Sequence, residues 1–137
     1  MKRTPLRKKS KVRNNEWYRK KCVTLAKLIV RHRAKYKCAK CGQGEPLKQT
    51  HGAHIFSEGT HHSMSADMDN IICLCASHHN WGKESWHDNP VEMIEWLREY
   101  YGEKYEELRI RARGTYKVDF QKKLEELKQI WNEISNG

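Results

Sequence analysis

Two short cysteine-bearing segments set the first chemical expectation for this chain. Cys38-Ala-Lys-Cys41-Gly42 places two thiols two residues apart, so both thiolates can reach one ion, and Gly42 permits the tight turn that must follow. Cys75-Ala-Ser-His78 repeats the two-residue gap and ends in an imidazole. Four sulfur and nitrogen ligands in two such pairs, with 33 residues between them, describe a closed tetrahedral site of the structural-zinc kind. Such an ion would add folding energy that a small core lacks. Cys73 competes with Cys75, because the two would share a strand face, but only Cys75 keeps the gap to His78. Cys73 and Cys22 are then expected to be small apolar fillers. An odd total of five cysteines, with no secretion signal and no long apolar run, argues against a disulfide framework and for a soluble, cytoplasmic chain.

Between the two pairs runs THGAHIFSEGTHHSMSADMDNIICLCASHHN, with six histidines and an Asp-Asn pair. Over about residues 38–83 the chain resembles the HNH, or ββα-metal, endonuclease family. His54 in Ala53-His54-Ile55 matches the first-strand histidine, Asn70 in Asp69-Asn70-Ile71 the asparagine that leads into the second strand, and His79 the histidine on the helix, with Lys83 one turn further on. His51-Gly-Ala-His54, Ser57-Glu-Gly59 and Asp69-Asn70, with the knuckle and a helical C-terminal region, are also similar to the NinG/Rap recombination nucleases of lambdoid phages.

The resemblance implies a metal-dependent DNA endonuclease, a hydrolase of phosphodiester bonds that nicks DNA or cuts branched recombination intermediates. His54 would be the general base, since a neutral imidazole with a pKa of about 6.5 takes a proton from water near pH 7. Asn70 would bond the loop backbone between the strands and so orient His54. His79 and one further ligand would hold a catalytic Mg2+ or Mn2+ facing the phosphate. The chain departs from the common pattern at Ala53, where the family's usual ligand precedes the base. Side chains alternate along a strand, so His51 lies on the same side as position 53 and is the expected stand-in, helped by a bulge at Gly52. Its other possible role is to orient a neighbour. His61 and His62 read as exposed loop histidines, His87 as a second helix-borne ligand only if the helix runs that far, and His32 as a packed histidine.

These groups need elements to hold them. The expected class is α+β, with a zinc-stabilised ββα-metal core flanked by an N-terminal helix and by C-terminal helices. Residues 1–14 read as a basic disordered arm, 15–88 as the first helix plus nuclease core, and 89–137 as a helical region. Tyr18, Cys22, Leu25, Ile29, His32 and Tyr36 recur at helical spacing from about Asn15 to Lys37. Asn89-Pro90 reads as a cap and first helical position, with Val91, Ile94, Leu97 and Tyr101 on one face and Gly102 as a stop. A further helix covers about 103–113. Another starts near Asp119 and carries Phe120, Leu124, Leu127, Trp131 and Ile134 in one stripe, which would serve intramolecular packing or a homodimer.

The net charge of +10 is unevenly spread, since residues 1–40 hold sixteen Lys and Arg against Glu16 alone, and the rest hold eleven against sixteen acids. A basic front half suits a polyanion, because each neutralised phosphate releases a counterion. Lys2, Arg3, Arg7, Lys8, Lys9, Lys11, Arg13 and Lys83 are the expected contacts to double-stranded or branched DNA. The rival reading is a zinc-knuckle nucleic-acid-binding module without cleavage, and an RNA-directed nuclease is a third. No membrane partner is expected.

Overall fold

A computed structural model describes residues 13–42, 50–81 and 85–136. The class is α+β, as expected. The first helix, α1, spans Asn15–Arg33, opened by Asn14, whose side chain accepts the Trp17 amide at 2.9 Å. It buries Cys22, Val23, Ala26 and Ile29 at three- and four-residue spacing. It ends four residues before the expected Lys37. Lys35 and Tyr36 take left-handed φ values of 55° and 58°, and their amides fold back onto the His32 and Arg31 carbonyls. Neither is glycine, so the stop carries no sequence signal. It turns the chain toward Cys38.

Strands β1 (Thr50–His54) and β2 (Ile71–Cys75) pair antiparallel from Thr50 opposite Cys75 to His54 opposite Ile71. The ladder is unbroken, so the bulge expected at Gly52 is absent. The glycine serves another need. A Cβ built there would lie 2.7 Å from Lys27 Cγ and 3.1 Å from Lys27 Cα, so only a bare backbone lets α1 pack this close to the strand.

Helix α2 covers Pro90–Tyr101, α3 Glu103–Ala112 and α4 Phe120–Ser135. Ala53, Ile55, Ile72 and Leu74 pack against Met93, Leu97, Tyr105 and Leu108 of α2 and α3. Ile71 joins α1 and Phe120, Leu124 and Leu127 of α4 in a second cluster. The hairpin thus lies between two helical layers, which is why Ile71-Ile72-Cys73-Leu74 is buried along its whole length. Two expectations for α2 need correction. Val91 is 65% exposed, and Met93 with Leu97 forms the buried face. Asn89 makes no side-chain capping bond, so Pro90 with its fixed φ marks the start alone. Gly102, at φ 56°, joins α2 to α3. Asp119 caps α4 by accepting the Lys122 amide, and Asn15 holds the same end by accepting the Phe120 amide. The α4 stripe considered for a dimer is spent on α1 within the chain. Among the described residues no helix is long and apolar enough to cross a membrane.

Candidate metal centre and histidine cluster

The knuckle begins where α1's reversed end delivers Cys38. The Gly42 amide donates to the Cys38 carbonyl at 2.8 Å with φ of 70° at Gly42, which closes the turn carrying Cys38 and Cys41. The Ala39 amide donates to the Cys73 carbonyl at 2.9 Å and fastens this turn to β2. At the end of β2, Cys75 leads into a five-residue π-helical turn, Ser77–Trp81, which presents His78. Cys38 Sγ lies 3.6 Å from His78 Nδ1, Cys75 Sγ 3.2 Å from the same nitrogen, and Cys41 Sγ 3.8 Å from Cys75 Sγ. All four ligand atoms fall within 4.8 Å of one another. A tetrahedral zinc with ordinary bond lengths has edges of about 3.8 Å between sulfurs and about 3.6 Å from sulfur to nitrogen. The cluster can therefore hold a metal ion such as zinc.

The thiol electrostatics agree. Burial works against ionising Cys38, but backbone amides of Cys75, Cys41 and Lys40 directed at its sulfur outweigh it and lower its pKa. Cys75 is raised to about 11, first by burial and then by the charge of Cys38. Crowded thiolates repel one another, and a divalent cation removes that repulsion. Cys73 is buried outside the cluster, and Cys22 is fully buried with its thiol donating to the Phe120 carbonyl.

A second group of side chains gathers around β1. The His54 Nε2–H donates to the Ser65 carbonyl at 2.7 Å, and its Nδ1 stands 3.9 Å from a Glu58 carboxylate oxygen. Glu58 is itself held at 2.6 Å by Arg19, which also grips Glu16 at 2.6 and 2.8 Å. The loop that carries Ser65 is pinned by Asn70, which is fully buried. Asn70 Oδ1 accepts the Phe56 amide at 2.8 Å, and its Nδ2 donates to the carbonyls of Phe56 at 3.0 Å and Met64 at 3.2 Å.

On the same strand His51 Nδ1 lies 2.9 Å from His79 Nδ1, one neutral ring donating to the other. The His87 amide donates to the His79 carbonyl at 3.2 Å, which brings the two rings to 4.9 Å. Among the described residues the four-ligand set at the knuckle is the only one of three or more that converges, so His51 and His79 form a pair and His87 flanks it. Ala53 is 1% exposed in the apolar core and offers no ligand. Burial is the first cause lowering the pKa of His51, His54 and His79, the last to about 4, and cations of α1 add to it. All three rings are neutral at pH 7.

Elsewhere, His32 packs edge-on against Trp131 and Tyr36, and His61 against Phe56. Arg13 stacks on the Trp17 ring at 4.8 Å. Lys2, Arg3, Arg7, Lys8, Lys9, Lys11 and Lys83 lie outside the described residues, as does nearly all of the expected basic arm. The Arg19–Glu58 link and the Ser65 carbonyl were not foreseen from sequence. Glu58 sits four residues beyond His54, but only the folded loop turns it back. Comparisons with protein-family models, with curated proteins and with solved structures return no match.

Proposed function

We propose that this chain is a metal-dependent DNA endonuclease of the HNH type, with His54 as general base and a structural zinc at Cys38, Cys41, Cys75 and His78. One observation carries the reading. A histidine locked by Ser65 into the tautomer with an unprotonated Nδ1 shares strand β1 with His51, whose Nδ1 lies 2.9 Å from that of His79. His54 Nδ1 would take the proton of the attacking water. Glu58 would then stabilise the imidazolium, since 3.9 Å is an ion-pair distance and too long for a hydrogen bond. Asn70 fixes the loop that supplies the Ser65 carbonyl. His51 and His79 would hold a divalent ion, which when bound supplies charge neutralisation at the phosphate and the leaving oxygen. Their separation is near the edge of about 3 Å between neighbouring ligands of an octahedral ion. Two imidazole donors favour Mn2+ over Mg2+, the harder ion that prefers oxygen. Similarity to the NinG/Rap nucleases makes branched recombination intermediates the first DNA to test.

The second reading, a zinc-knuckle binding module that does not cut, draws on the burial of Ala53 and the presence of two rather than three converging histidines. One assay separates them. Purified protein and His54→Ala are given supercoiled plasmid, a four-way junction and single-stranded RNA, with Mn2+, Mg2+ or EDTA. Metal-dependent DNA cleavage abolished by His54→Ala supports the enzyme. Salt-sensitive binding with no cleavage under any metal supports the module, cleavage that survives His54→Ala removes the proposed base, and cleavage of the RNA alone redirects the substrate.

A further inference from the structure

We propose that the edge of β2 turned away from β1 binds an adenine nucleotide through the carbonyl of Ile71 and the amide of Cys73. The site lies apart from the histidines of β1 and does not rest on the nuclease reading. Two bonds fix the direction of each backbone group along β2. The Ile55 amide donates to the Asn70 carbonyl at 2.8 Å across the ladder, and the Ala39 amide donates to the Cys73 carbonyl at 2.9 Å from outside it. Positions 70, 72 and 74 therefore bond toward β1, and positions 71, 73 and 75 turn outward. The outward Cys75 amide meets the Cys38 sulfur, the Cys73 carbonyl meets Ala39, and the Ile71 amide meets the Met68 carbonyl. The Ile71 carbonyl and the Cys73 amide are left, and among the described residues neither has a partner. Both residues are 2% exposed, and a buried backbone donor and acceptor are almost always paired.

The two residues line a cavity of about 490 Å³, within the range of ~300–1,000 Å³ common for small-molecule sites. A flat ring bonded to both groups would continue the plane of the hairpin, and the two helical layers would cover its faces. Val30, Ala34 and Met68 line one side, Tyr100 and Tyr101 the other. Trp96 stacks on Tyr100 at 4.9 Å and steadies that aromatic wall. Every base carries a donor and an acceptor side by side, but guanine, cytosine and thymine add a third polar group on the same edge. The neighbouring backbone groups here are already bonded, so a third group would be stranded. Adenine offers its amino donor, its ring-nitrogen acceptor and then a C–H. The charge of the lining suits the phosphate. Asp69, its one acid, is held by Lys104 at 3.6 Å and Arg111 at 3.5 Å, while Arg33 and Lys37 stand exposed with no acidic partner among the described residues. The competing account is a cleft in which water serves both backbone groups.

The test titrates AMP, at constant ionic strength, into the full zinc-loaded chain and follows the Cys73 amide by NMR. A saturable shift of that amide is expected. AMP dimethylated on its amino group lacks the donor, and CMP carries the third polar group, so each should bind about tenfold or more weakly. These analogues need no variant that could unfold. Ala34→Leu, which narrows the cavity from α1, should abolish the shift. Adenosine should bind more weakly than AMP to the wild type, and equally with AMP to a chain carrying both Arg33→Gln and Lys37→Gln. Oligo(dA) and oligo(dT), titrated in parallel, identify the source of the base. A shift with AMP assigns a free nucleotide, and a shift with oligo(dA) alone assigns an unpaired adenine in a strand. No saturable shift with either, equal affinity for the dimethylated analogue, CMP or oligo(dT), or binding that survives Ala34→Leu overturns the proposal.

Discussion

His54 Nε2 lies 2.7 Å from the carbonyl oxygen of Ser65, and that bond decides which face of the ring is available for chemistry. A carbonyl only accepts, so Nε2 keeps the proton and Nδ1 keeps its lone pair. Burial, the largest influence, holds the ring below its ordinary pKa of about 6.5, while the Ser65 bond acts in the opposite direction. On the proposed nuclease reading the base would work when deprotonated, so its competent fraction would grow as pH rises through a value below 6.5. Initial cleavage rates should climb on the acid side and be level by pH 7. A midpoint above pH 7 would exclude His54 as the group that titrates.

The same depressed pKa has a stability consequence of definite sign. The unfolded chain binds a proton to this histidine more readily than the folded one does. The contribution of His54 is therefore complete above about pH 6.5 and is lost as pH falls through the lower, folded value. Thermal melts from pH 7.5 to 5 should show a decline that is shallower in His54→Gln. An identical decline in both proteins would contradict it.

Asn70 is fully buried and makes three side-chain bonds to the loop backbone. Asn70→Ala leaves the Phe56 amide and the Phe56 carbonyl without partners, while the Met64 carbonyl keeps the Asp67 amide, at a cost on the order of 2–4 kcal/mol. Urea melts should show that loss. The loop should also become more susceptible to proteolysis between residues 56 and 70.

Gly52→Ala asks α1 to move. The new methyl meets Lys27 Cγ at 2.7 Å, which can swing away, but also Lys27 Cα at 3.1 Å, which cannot move without the helix. A destabilisation of about 1–3 kcal/mol is expected, read from the denaturation midpoint. A neutral result would mean that the helix and strand are less tightly apposed than the geometry requires.

Metal removal gives the fifth test. Structural zinc in small domains supplies folding free energy comparable to a whole domain's stability. Cys38→Ser should lower the melting temperature by on the order of 10 °C or abolish the transition, and extraction with a strong chelator should do the same reversibly. Zinc analysis of the wild type should return about one ion per chain.

What sequence could disclose divides along the range of the contacts. The knuckle residues were legible because metal ligation imposes a short spacing, Cys38 to Cys41 and Cys75 to His78, that survives any fold. The helices were legible from apolar period, and Gly102 from its chemistry as a stop. The end of α1 was not, because Lys35 and Tyr36 adopt a left-handed turn that their side chains do not advertise. The role of Gly52 was misread as a strand irregularity, since its cause lies on another element, at Lys27. On α2 the stripe read at Ile94, Leu97 and Tyr101 does pack on the core, but Val91 is exposed and Met93 is buried instead, because burial at the helix start depends on how α2 is rotated against the hairpin. Glu58, Ser65 and Arg19 meet His54 only through the loop that Asn70 closes, and no local pattern encodes that closure.

The amide of Ala39 that reaches the Cys73 carbonyl has a further consequence. A two-stranded hairpin has two edges, and an open edge with apolar residues invites pairing with another chain. The knuckle turn covers the outer edge of β2, whose sequence Ile-Ile-Cys-Leu-Cys is uncharged and suited to such pairing. If an ion holds the knuckle, removing it would take away the cover together with the fold and leave that strand available to its neighbours. Self-association into intermolecular sheet, more than a soluble unfolded chain, is the expected fate of the metal-free protein.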